Sequence, residues 1–98
     1  MVWRIEIAPA AKKELDKLDR QIAQRILTFL QKRVTLLKDP RSIGDALKGP
    51  KFGEYWRYRV RDYRIIVRIE DDVLLILVLR VGHRKHIYKQ QPLNRHGA

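Results

Sequence analysis

The stretch EYWRYRVRDYRIIVRIE, residues 54–70, carries five arginines and yet alternates as paired strands do. A turn at Arg61-Asp62 sets Val60 opposite Tyr63, Tyr58 opposite Ile65 and Trp56 opposite Val67. Every one of those side chains is apolar or aromatic, so together they make a face that needs covering. The same register leaves Arg57, Arg59, Arg64, Ile66 and Arg68 on the other face, with Arg59 directly across from Arg64. A slip of one residue would bury the arginines and expose the aromatics. Trp56, Tyr58 and Tyr63 are accordingly read as core.

Like charges opposite one another on paired strands are destabilising, and an anion between them relieves the repulsion. A phosphate chain suits, because guanidinium groups fork onto phosphate oxygens and stay charged at any working pH. The ordinary alternative is a solvated face whose arginines pair with nearby carboxylates. The next strand bears on the choice. Strands are expected at about 55–60, 63–70 and 73–81, with the second hairpin turning at Asp71-Asp72. Glu70 then faces Val73, Arg68 faces Leu75 and Arg64 faces Leu79. In that register Leu75, Leu77, Leu79 and Val81 share the arginine face, while Leu74, Ile76 and Val78 join the core. A run apolar on both sides belongs to a central strand. The arginine face thus reads as a basic groove with an apolar floor, which a partner segment is expected to cover.

Upstream, Trp3, Ile5 and Ile7 alternate with Arg4 and Glu6, the pattern of a half-buried strand, and Pro9 suits the first position of a helix. Ala11, Leu15 and Leu18 follow at helical spacing. Asp19 can cap a second helix whose stripe is Ile22, Ile26, Phe29, Leu30, Val34 and Leu37, with Lys38 in its last turn and Pro40 ending it. The basic residues on the outer side of these helices, such as Lys12, Arg25 and Arg33, read as a solvated face. Residues 39–54 hold two Pro and three Gly and read as a loop, with one short helical turn at Asp45 to Leu47. The tail at 89–98 is polar and is expected to fray. The class expected is α+β: one domain over 1–98, with an N-terminal strand and a helical hairpin packed on one face of a largely antiparallel twisted sheet.

The chain has 98 residues, 45% hydrophobic and 34% charged, which suits a folded core and not disorder. Twenty-two Lys and Arg against eleven Asp and Glu give a net charge of +11, so polyanions are the natural partners. Nucleic acid, an acidic protein segment and an anionic membrane all qualify on charge alone. The absence of Cys excludes a disulfide frame, a thiolate zinc site and a cysteine nucleophile. His83 and His86 lack a convincing third ligand for zinc, and Asp71 with Asp72 serve turn geometry better than magnesium. No cofactor or metal is expected. The start lacks the apolar core of a signal peptide, and the run from Val73 to Leu79 is too short to span a bilayer. The expected location is the cytoplasm, with no membrane partner.

After the last strand comes RVGHRKHIYK, residues 80–89. Here the chain resembles the RelE/ParE superfamily of bacterial and archaeal toxins, and more closely its RelE branch. The likeness rests on the opening strand, the helical hairpin, LKG before the sheet, YRVRDYRIIV in the hairpin and VGHRKHIY near the end. It implies the toxin of a type II toxin–antitoxin system: a metal-independent endoribonuclease that cleaves mRNA in the ribosomal A site. It also implies an acidic, RelB-like antitoxin, with operator DNA contacted only through the antitoxin complex. Carried over by position, the resemblance makes Arg64, Arg84 and Tyr88 the catalytic candidates. Arg57, Arg59, Arg68, His83, Lys85 and His86 are the candidates for RNA contact. Three departures stand out. Some relatives have Lys where Arg57 and Arg59 stand, the Arg84–Tyr88 spacing is shorter than in some relatives, and Arg61 replaces a turn Gly.

RNA cleaves itself when its 2′-OH is aligned with the adjacent phosphorus, so a nuclease needs a base, an acid and a clamp for the charge that develops. Arg64 and Arg84 suit the clamp, and Arg57 and Arg59 suit positioning of the backbone. Tyr88 is a candidate base if guanidinium groups lower its pKa, and the alternative for it is a packing or base-stacking aromatic. His83 or His86 can act as acid or base, since imidazole titrates near neutrality. Two other functions fit the scaffold: a ParE-like inhibitor of DNA gyrase that cleaves nothing, and a nucleic-acid-binding module without catalysis.

Overall fold

Ile5 and Ile7 turn inward while Arg4 and Glu6 face solvent, and on that alternation the chain forms β1 (Arg4–Ile7). The computed structural model describes residues 2–47 and 55–87; Tyr88 and the tail expected to fray lie outside the described residues. Pro9 opens α1 (Pro9–Lys17) at a position where its missing N–H is not needed. Asp19 accepts a hydrogen bond from the Gln21 N–H at 3.1 Å and caps α2 (Arg20–Lys32). Ala11 and Leu15 on α1, with Ile26 and Leu30 on α2, are the buried residues of this helical hairpin.

α2 ends at Lys32, short of the expected end at Lys38, and Val34–Leu36 tightens into a single 3₁₀ turn. Two bonds explain the early stop. The Thr35 hydroxyl donates back to the Gln31 carbonyl at 2.7 Å, and the Thr35 carbonyl accepts from the Trp3 N–H at 3.0 Å. With that carbonyl turned toward the start of β1, the helix cannot propagate. Val34 still reaches the core.

The sheet has five strands, β2 (Asp45–Ala46), β3 (Tyr55–Val60), β4 (Tyr63–Glu70) and β5 (Leu75–His83) joining β1 in the order β1-β5-β4-β3-β2. β1 runs parallel to β5, with the Arg4 N–H on the Leu74 carbonyl at 2.8 Å and the Ala8 N–H on the Val78 carbonyl at 2.9 Å. The other pairings are antiparallel. The helical turn expected at Asp45 to Leu47 is instead the edge strand β2. Trp56 Nε1–H donates to the Ile43 carbonyl at 2.7 Å, and Gly44, at φ +83°, lets the chain lie flat on β3. A Cβ at Gly44 would stand 2.4 Å from the Arg57 carbonyl oxygen, so only glycine permits that approach.

The β3–β4 hairpin has the register expected for it, Arg59 opposite Arg64 included. Arg61 takes φ +54° at the first turn position, a conformation usually given to glycine in such hairpins. The β4–β5 hairpin differs from expectation. Its turn is longer: Asp71–Val73 form a 3₁₀ turn, Leu74 is left-handed at φ +52°, and Glu70 pairs with Leu75 instead of Val73. Asp71 is held there by both Nη atoms of Arg41, each at 3.0 Å. Arg68 therefore faces Leu77, not Leu75.

That two-residue displacement preserves the faces, but a bulge opposite Ile66 and Val67 then reverses them. Beyond it Ile65 pairs with Val81 and Arg64 pairs with Gly82, where Leu79 was expected. Val81, expected among the arginines, is instead 1% exposed in the core beneath the helices. The reversal puts Val81 in the core and turns Arg80 to the side of Ile66, its register partner.

The main core lies between the helical hairpin and the sheet, with Tyr58, Ile65, Val67, Ile76 and Val78 facing Ile26 and Leu30. A smaller cluster sits on the opposite side: Leu47, Ile66 and Ile87, with Tyr55 packed against it. The apolar floor expected to await a partner is thus covered in part, at Ile66, by the chain itself.

Candidate nucleic-acid interface

Alternation along β3 and β4 puts Arg57, Arg59, Arg64 and Arg68 on the face away from the helices. Three of them gather near one end. Arg57 pairs with Asp45 across the β2–β3 edge, its Nε donating to Oδ1 at 3.2 Å and its Nη2 to Oδ2. Arg59 Nη2 stands 3.6 Å from the same carboxylate. Arg64 donates from Nη1 to the carbonyls of Arg61 and Tyr63, both at 3.0 Å, and so lies toward the hairpin tip.

Electrostatics single out Asp45. The hydrogen bond from Arg57 holds its carboxyl below the usual carboxylate value, partial burial opposes that, and the charges of Arg57, Arg59 and Arg64 add to the lowering. Its two arginines differ in access, since the Arg57 side chain is 20% exposed and that of Arg59 is 59% exposed. Arg59 also lines a cleft of about 550 Å³ that runs between Asp45 and Phe29 of α2, with Arg33 just past the end of that helix.

Arg84 comes to the same end of the sheet by another route. Its N–H donates to the Asp62 carbonyl at 2.7 Å, and its Nε lies 3.4 Å from the Asp62 carboxylate. The N–H groups of His86 and Ile87 both donate to the His83 carbonyl, at 2.9 and 3.0 Å, so the chain curls after β5. Ile87 thereby returns onto Gly82, where a Cβ would stand 3.3 Å from that of Ile87.

The remaining sequence-selected residues are more dispersed. Arg68 is four positions from Arg64, roughly 13 Å along the strand, and its Nε donates to Glu70 at 2.6 Å. His83 pairs with Tyr63 and so belongs by register to the opposite face from Arg64. Its ring meets Tyr63 edge-on at 5.4 Å and lies 5.8 Å from His86. Nδ1 of His83 accepts from the Lys85 N–H at 3.1 Å, which leaves the proton of the neutral ring on Nε2. Lys85 and His86 are exposed in the turn.

Sequence reasoning missed the carboxylates that hold these arginines. Asp45 falls where a helical turn is expected, Asp62 falls in the expected hairpin turn, and Glu14, the partner of Arg80 outside this group, has no role in the sequence pattern. Glu14 sits beside Leu15 and three positions after Ala11, at the border of the buried stripe, which was the available signal.

A helical hairpin backing a sheet whose free face gathers guanidinium groups is the build of a small α+β protein suited to polyanions. Residues 5–88 match the family of the ParE toxin of type II toxin–antitoxin systems, parDE, and the chain belongs to that family within the RelE/ParE superfamily. It is similar to the toxin RelG of Mycobacterium tuberculosis, 28% identical over 90 residues that span 92% of this chain and 100% of the relative. Among solved structures it is similar to the RelBE2 toxin–antitoxin complex of Mycobacterium tuberculosis (TM-score 0.77, 24% identity, 86% of this chain and 93% of that one). The archaeal RelE–RelB complex of Pyrococcus horikoshii is also similar (TM-score 0.67, 26% identity, 88% and 99%). A double mutant of the E. coli toxin RelE in the free state, at TM-score 0.69 and 23% identity over 92% of this chain and 94% of that one, has the same fold.

Proposed function

We propose that this toxin is an endoribonuclease that cleaves mRNA in the A site of the translating ribosome and is kept inactive by an acidic antitoxin. The observation that carries the reading is the pairing of Arg59 with Arg64 on the free sheet face, with Arg84 at the adjoining hairpin tip. Arg64 and Arg84 stabilise the charge that grows on the phosphate as the 2′-OH attacks. Arg57 and Arg59 hold the flanking backbone, and Arg68, Lys85 and His86 extend the basic track. Tyr88, the residue after Ile87 in the chain, takes the 2′-OH proton, with His86 as the other candidate for proton transfer, since the register turns His83 to the face away from Arg64. The antitoxin assignment draws on the solved complexes of related toxins with RelB proteins. Acidic chains that fold on binding suit a net charge of +11.

The test is to release the purified toxin from its antitoxin and add it to ribosomes carrying a defined mRNA. New 5′ ends at the A-site codon are expected, and intact mRNA at toxin excess would defeat the proposal. The match to the ParE family favours a second reading, inhibition of DNA gyrase without cleavage. A supercoiling assay on the same preparation separates the two.

A further inference from the structure

Asp45 is the carboxylate on which two arginines of the free face converge, and a third contributes to its field. It is bonded to Arg57 through both Nε and Nη2, it stands 3.6 Å from Arg59, and the charge of Arg64 helps to keep it ionised. Its place is built by the fold. The close approach of Gly44 to the Arg57 carbonyl and the Trp56–Ile43 hydrogen bond pin the two-residue strand that carries it. A carboxylate that accepts a fork from one guanidinium and a longer contact from another presents the same acceptors as a phosphodiester.

We infer that Asp45 is a resident counter-ion of the arginines that hold the flanking backbone, competing with RNA for Arg57 and Arg59. The inference rests on the reading of this face as an RNA site and adds a residue that sets how tightly it binds. Before RNA arrives, Asp45 relieves the repulsion between the face arginines. A phosphate that engages Arg59, the more exposed of the pair, displaces Asp45 and takes over its bonds. The contact restrains binding to free RNA, because each phosphate must first displace an anion already in place.

The experiment measures binding of the full chain to a labelled single-stranded oligouridylate by fluorescence anisotropy over a range of NaCl concentrations. Asp45→Asn, which keeps the shape and removes the charge, is expected to tighten binding about five-fold at moderate salt. It is also expected to steepen the dependence of log K on log salt by about 0.7, the increment for one more phosphate contact on a single strand. Asp45→Ser gives the same direction and guards against a folding defect peculiar to Asn. In an Arg57→Gln background the gain from Asp45→Asn shrinks, since only Arg59 is then left for Asp45 to hold. Unchanged or weaker binding by both Asp45 variants, with an unchanged salt slope, would overturn the proposal and leave Asp45 a scaffold for Arg57. Failure of the wild type and of both variants to bind the oligonucleotide would overturn it as well. Tighter binding without cleavage on programmed ribosomes would sink the nuclease reading and leave the counter-ion standing.

Discussion

Arg80 on β5 and Glu14 on α1, 66 residues apart in the chain, form one ion pair that ties the first helix to the sheet. Arg80 donates to Glu14 Oε2 from Nε at 2.9 Å and from Nη2 at 2.6 Å, and Glu14 Oε1 accepts from the Val81 N–H at 2.8 Å. The Arg80 side chain is 9% exposed. Removing the carboxylate takes away the acceptor that a nearly buried guanidinium and a strand N–H share. Glu14→Ala is expected to destabilise the fold by about 3 kcal/mol, read as a lower urea midpoint at unchanged slope.

Gly44→Ala tests the placement of β2. The new methyl would fall 2.4 Å from the Arg57 carbonyl and 2.7 Å from Trp56 Nε1, at a φ of +83°. A loss of ~2 kcal/mol or more is expected in chemical denaturation, with the indole N–H resonance of Trp56 shifted as its bond to Ile43 lengthens.

The acid limb of stability belongs in part to Asp45 and Asp71, each held below the ordinary carboxylate value chiefly by a hydrogen bond from an arginine, Arg57 and Arg41 respectively. Since the folded values are the lower ones, their contribution is present above about pH 4 and is lost as the pH falls through those folded values. Thermal melts across that range should show a shallower acid decline for Asp71→Asn than for the wild type.

Tyr58 governs the alkaline side. Its ring is 1% exposed, its hydroxyl donates to the Pro40 carbonyl, and burial pushes its pKa up. The folded state therefore keeps a proton that the unfolded chain releases near pH 10, so this contribution is full below about pH 10 and fades as the pH rises further. Tyr58→Phe should cost about 1 kcal/mol at neutral pH through the lost hydrogen bond and should flatten the decline above pH 10.

Position along the arginine face should separate cleavage phenotypes. Arg64→Ala is expected to lower the cleavage rate on programmed ribosomes by about 10²-fold or more, as loss of a transition-state clamp does. Arg68→Ala, at the far end and already bonded to Glu70, is expected to change it by less than about ten-fold. Equal losses in the two variants would contradict the assignment of the clamp to the hairpin end.

The β3–β4 hairpin was legible because its alternation leaves one register that hides Trp56, Tyr58, Ile65 and Val67 together. The Asp19 cap and the Pro9 start were legible for a similar reason: each is a local signal with a local cause. The β4–β5 pairing was not, since Leu74 through Leu79 are apolar at every position and alternation cannot distinguish one phase from another. In the candidate site the arginines announced themselves by face. Their carboxylate partners did not, because Asp45 and Asp62 meet Arg57 and Arg84 only once the folded chain brings separate segments together.

The bulge in β5 divides a single strand into two stretches that obey opposite parity. One extra residue lets the first half give its leucines to the free side and the second half give Val81 to the interior. Counting therefore matters more here than composition. A residue inserted or lost between Val78 and Arg80 would rotate the far half by half a turn or force the ladder to heal, and it would re-aim Arg84 without touching any residue of the site.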